Sequence, residues 1–169
     1  MPDTDPVAGS AYSQLIADSL AEERDRKLSL ETRGVTVITA SGTLASLLFA
    51  LAASLTAIPK SGVPASARLP LLLTLVAFVV AALLGLATNI PLRYREPTTQ
   101  ALAKLVDAKY WAGPQQTGEL RVAEAQVSVI AAARSANNLR VRLLLAAISA
   151  EILAIVFLSW AVAVILYVT

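Results

Sequence analysis

The chain contains no histidine and no cysteine, which removes the imidazole base, the thiolate nucleophile, the disulfide and the usual transition-metal ligands. It also lacks a GxSxG elbow, a phosphate-cradling P-loop and a glycine-rich dinucleotide fingerprint. No enzyme activity, cofactor or metal is therefore expected. The residue that could still do chemistry is Glu151, the one carboxylate inside a long apolar run. It lies eight residues, or about 12 Å, into that run. A charge at such a depth costs a few kcal/mol, so the carboxyl is expected to face protein or water, or to hold a proton. Counting depth along three spans puts Thr43, Ser46 and Gly85 at its level, with the two hydroxyls as its natural partners. Arg140 shares a similar helix face but is eleven residues away, too far for a direct bridge. Two roles stay open for Glu151: a protonated group that stitches helices together, or a member of an ion or proton path.

A second polar feature accompanies it. With 100° per residue, Thr36, Thr39, Thr43, Ser46, Ala50, Ser54 and Ala57 project within an arc of about 100°. Such a stripe of small and hydroxyl side chains lets helix backbones approach closely and share hydrogen bonds, or it lines a narrow water path. Close packing inside one chain and pore lining both remain open. Shorter small-residue rows occur at Ala77, Ala81 and Gly85 and at Ala146, Ala150 and Ala154, and with Ala50 they are candidate packing faces between copies. Elsewhere the carboxylates Glu22, Glu23 and Asp25 cluster, but their flanking Arg and Lys point to a solvated, internally paired helix face. Trp111, beside Lys109 and Tyr110, fits interfacial packing of an amphipathic helix.

The elements that must position these residues are membrane spans. An apolar fraction of 56% with 15% charge is too apolar for a typical soluble domain of 169 residues. Three runs, 35–58, 69–90 and 143–168, each approach or exceed the roughly 20 apolar residues that cross a hydrocarbon core. Twelve of the fourteen Lys and Arg residues fall before the first run or between the second and third, leaving Lys60 and Arg68 on the other side. The positive-inside bias then puts the N-terminus in the cytoplasm and the C-terminus outside. The same basic residues are accounted for by orientation and anionic lipid, so no nucleic-acid partner is expected. No cleavable signal peptide is read, since the first apolar run starts late and is long for an h-region.

The expected organisation is a disordered lead (1–9) and a cytoplasmic amphipathic helix (10–34) capped by Ser10, with Gly34 its weak point before the first span (35–58). An external turn (59–68), a second span (69–91), a cytoplasmic helical segment (92–142) and a third span (143–169) follow. Within 92–142, Thr98 or Thr99 caps one helix and Thr117 a second, separated by the break at "WAGPQQTG". Between Glu119 and Thr169 the sequence has neither Gly nor Pro. The fold class is thus all-α, with three transmembrane helices and helical cytoplasmic extensions in a single membrane domain.

The segments "RKLSLETRGVTVITASGTLASLLFAL" and "ARSANNLRVRLLLAAISAEILA", separated by a tight hairpin, resemble the small bacterial membrane effectors of nucleotide-signalling defence systems. These are the Pycsar-type transmembrane effectors and the related SLATT helical-hairpin proteins. The resemblance implies a homo-oligomer that disrupts the inner membrane. It also implies a trigger delivered by a cytoplasmic sensor or partner protein, because members that sense a cyclic nucleotide directly carry a separate sensor domain. Phage holins of the common three-span class run in the opposite orientation. The expected function is an oligomeric pore-forming or membrane-perturbing effector in antiviral defence. The alternatives are a non-conducting scaffold docking a cytoplasmic partner on 98–142 and, third, a small proton-coupled transporter using Glu151.

Overall fold

In hydrocarbon every backbone N–H and C=O must find a partner within the protein, which a continuous helix provides. A computed structural model of the chain describes residues 6–57, 64–91 and 115–168. They form three helices, α1 (Pro6–Ala57), α2 (Ala65–Thr88) and α3 (Gln115–Val168), with no strand among the described residues. All three are long and apolar enough to cross a membrane, so the chain is an all-α membrane protein with three spanning helices. The 24 residues of α2 extend about 36 Å, enough for one crossing.

Several boundaries differ from the expected ones. α1 begins at Pro6, ahead of Ser10, because proline's fixed φ and missing N–H suit a first helical turn. Gly34 does not interrupt it. α2 begins at Ala65, inside the expected external turn, and follows Pro64 in an extended conformation (φ −53°, ψ 141°). α3 starts at Gln115, ahead of the Thr117 cap, and continues unbroken to Val168. The expected helix after Thr98, Trp111 and the first half of the external turn (59–63) lie outside the described residues.

The chain divides into two compact units, Met1–Leu28 with Pro91–Asn138, and Ser29–Ile90 with Leu139–Thr169. In the first, Ile130 and Ala133 of α3 are buried together with two polar side chains, Glu23 and Asn137. Glu23 does not lie on the solvated face that its flanking Arg and Lys suggest. Instead its Oε1 accepts from Arg134 Nε at 3.2 Å, and its Oε2 and backbone carbonyl both accept from Asn137 Nδ2 at 2.9 Å. Arg26 adds a longer approach at 3.9 Å.

The second unit holds the spans. Its buried positions recur at steps of three, four or seven, averaging about 3.5: Leu30, Gly34, Val37, Ser41 and Leu48 on α1; Ala67, Pro70, Thr74, Phe78, Ala81, Gly85 and Thr88 on α2; Arg140, Leu144, Ala147, Ala154 and Ala161 on α3. A 3.5-residue period is the seam of left-handed helix packing, common in membrane bundles. Leu30, Val37, Ala81, Leu144 and Ala147 form the apolar centre. Large apolar side chains such as Phe49, Leu72, Val79, Leu83, Leu153 and Val156 point outward. In water they would be a severe liability; in a bilayer they are the lipid-facing surface.

Candidate functional site

Two polar constellations interrupt the apolar seam of the spanning unit. The first is built on Arg140, whose side chain is 1% exposed. Helix ends leave carbonyls without intrahelical donors, and α2 ends at Thr88 with Asn89 in a helical C-cap conformation. Arg140 Nε donates to the Thr88 carbonyl at 3.1 Å, and Nη2 reaches the Ile90 carbonyl at 3.5 Å. Nη2 also lies 3.5 Å from Glu31 Oε1. One guanidinium from α3 thereby closes the end of α2 and ties it to α1. These contacts put Glu31, the C-terminus of α2 and Arg140 at one end of the bundle, so α1 and α3 run parallel and α2 runs against them.

Beside this knot α1 and α2 cross at a pair of glycines. A Cβ placed on Gly34 would collide with the Thr88 hydroxyl and come within 3.0 Å of the Gly85 carbonyl. One placed on Gly85 would come within 3.0 Å of the Gly34 carbonyl. The Thr88 hydroxyl turns back to the Gly85 carbonyl at 2.7 Å, and Asn89 Nδ2 reaches the same oxygen at 3.3 Å. Gly85 therefore serves the α1–α2 crossing and does not face Glu151.

The second constellation is Glu151 with Ser41. Glu151 is half-buried on the α3 seam, seven residues beyond Leu144 on the same heptad line. Ser41 lies on the buried seam of α1 ten residues beyond Glu31, which puts it level with Glu151, eleven residues beyond Arg140 on α3; Ser41 Oγ is buried with no hydrogen-bond partner among the described residues. The expected partners Thr43 and Ser46 are not there. Thr36, Thr39, Thr43, Ser46 and Ser54 are all exposed, on the side of α1 away from the chain's core. Each hydroxyl donates back along its own helix, Thr36 to the Thr32 carbonyl (3.1 Å), Thr39 to Val35 (3.0 Å), Thr43 to Thr39 (2.8 Å), Ser46 to Gly42 (2.9 Å) and Ser54 to Leu51 (2.8 Å). Back-bonding of this kind lets a hydroxyl face lipid without an orphaned donor. Close packing of the stripe inside one chain is thus overturned.

The smaller rows separate. Ala81, Gly85 and Ala154 are buried in the single chain, Ala77 and Ala150 are half-buried, and Ala50 and Ala146 are exposed. Arg140 and Glu23 were not singled out as site residues, although both mark polar positions on a repeating seam. No group of three or more acidic, His or Cys side chains able to hold a metal occurs among the described residues. Comparison with family models, curated proteins and solved structures finds no match to the chain.

Proposed function

We propose that the protein works as a homo-oligomer in a bacterial inner membrane, assembling through the outward stripe of α1 and perturbing the bilayer when triggered. The observation that carries this reading is the stripe itself. Thr36, Thr39, Thr43, Ser46, Ala50 and Ser54 form a low, polar-edged surface that the chain's own core leaves unused. Between helices in lipid the driving force is close packing, and a row of small side chains favours it by letting backbones approach. The defence role rests on the sequence resemblance, and the N-inside orientation on the distribution of Lys and Arg.

The absence of native Cys gives a direct test. A single Cys at Ser46 forms a disulfide between copies on mild oxidation in membranes, whereas one at Leu72, on the lipid-facing side of α2, does not. Ser46→Leu with Ala50→Leu abolishes the cross-link of a Cys at Thr43 and the depolarisation caused by overproduction. Equal cross-linking at both positions, or none at either, overturns assembly through this face. A Cys at Ser61 reacts with an impermeant reagent from outside intact cells; reaction only after permeabilisation reverses the orientation.

A second reading, a scaffold for a cytoplasmic partner, is favoured by Tyr12, Leu15 and Leu120. These side chains are more than half exposed in the unit outside the spans. Intact bilayer resistance with specific capture of one partner by this unit supports it over the effector.

A further inference from the structure

We propose that Glu151 and Ser41 form a reversible proton-binding site at the middle of the spanning bundle, within a single copy of the chain. The first support is depth. Arg140 and Thr88 share a level, and Glu151 is eleven residues beyond Arg140, about 16 Å along α3. Arg68, at the opposite end of α2, is twenty residues from Thr88, about 30 Å. Glu151 therefore sits close to midway across a hydrocarbon core about 30 Å thick.

The second support is the absence of a countercharge. From Gly34 to Ser54 on α1, and from Leu69 to Thr88 on α2, the sequence contains no charged residue; on α3 between Leu143 and Tyr167 Glu151 stands alone. Among the described residues the nearest charges along the helices are Glu31, Arg33, Arg140 and Arg142 at one end and Arg68 at the other. Arg140 is committed to Glu31 and the α2 carbonyls. An ionised carboxylate here meets no cation, so a proton is the ligand that balances it.

The third support is Ser41. Five other hydroxyls on the spanning part of α1 return to their own helix carbonyls. The Ser41 hydroxyl does not, and it is buried without a partner among the described residues, on the α1 seam at the level of Glu151. When a proton from water joins a carboxylate oxygen, the new O–H donates to Ser41 Oγ and links α3 to α1. When it leaves, the Ser41 O–H turns to donate to the carboxylate. One proton is gained or lost, the hydrogen bond between the two side chains reverses, and no other covalent bond changes. A metal cation is a poorer occupant, because hard cations take six or more oxygens and this site offers one carboxyl and one hydroxyl.

Dicyclohexylcarbodiimide, which attacks protonated carboxyls in apolar surroundings, tests this on full-length protein in liposomes, with modified peptides read by mass spectrometry. Glu151 is expected to react ahead of Glu31 and Glu23, with a rate falling about tenfold per pH unit above the site's midpoint and unchanged by sodium. Glu151→Gln removes the adduct, and Ser41→Ala moves the midpoint while keeping the helical content and elution volume of the native protein. No reaction at Glu151 at any pH, a rate independent of pH, or a Ser41→Ala profile identical to the native one overturns the site. Protection by sodium overturns the proton in favour of a metal cation. None of these readouts depends on assembly between copies, so the cross-linking result stands or falls separately.

Discussion

In the unit outside the spans, a carboxylate on α1 is buried and its arginine on α3 is exposed: the side chains of Glu23 and Arg134 are 9% and 59% accessible. In the spanning unit the roles reverse, with Arg140 at 1% and Glu31 at 26%. Both pairs join the same two helices, yet the buried member dictates what else must be present. A desolvated carboxylate accepts, so Glu23 collects the Asn137 amide and Arg134. A desolvated guanidinium donates, so Arg140 collects the Thr88 and Ile90 carbonyls at the end of α2. The lesson is that an ion pair is a weak description of either site; the neutral groups that complete the buried partner hold the helices in place.

Arg140 is where a single substitution costs most. Arg140→Ala removes the guanidinium that meets Glu31 and two carbonyls of α2 and is expected to destabilise the protein by about 3–5 kcal/mol, the range for removing one partner of a buried pair. Denaturant titration in detergent measures it. Arg140→Met combined with Glu31→Leu sharpens the point: it removes the ion pair but leaves the α2 carbonyls unmet, so stability does not return to the native value. Glu23→Ala comes next. It strips the buried Asn137 amide of its side-chain acceptor and costs about 1–3 kcal/mol, read from the same titrations. Arg134→Ala is the smallest, below about 1 kcal/mol, because that arginine is largely in solvent. Added salt is expected to erase the Arg134 effect and leave the Arg140 effect intact.

Much of this was legible before the structure. The three spans follow from apolar length, and α1 and α3 are unbroken because no proline falls within the interior of either helix. The polar seam could also have been read, since Ile130, Ala133, Asn137, Arg140, Leu144 and Ala147 keep steps of three and four; two polar residues on such a seam announce buried partners. The stripe was misread for a physical reason. Only its packing inside one chain fails: a serine or threonine whose hydroxyl bonds its own helix needs no partner from the chain's core. The Glu151 partner was missed because counting residues gives depth and says nothing of azimuth. Ser41 and Thr43 are two residues apart and nearly level, yet about 200° apart around α1, so one meets α3 and the other faces away.

The knot at Arg140 also sets an order of construction. α2 ends on carbonyls whose donor lies 52 residues further along the chain, so a ribosome delivers the first two helices to the bilayer well before it delivers the group that closes them. Apolar length is enough to insert each helix, but association in the membrane is a later step. The early hairpin therefore waits in lipid with the glycine crossing available and one end unfinished. Entry of the third helix locks the bundle, which makes maturation of this protein depend on that third span.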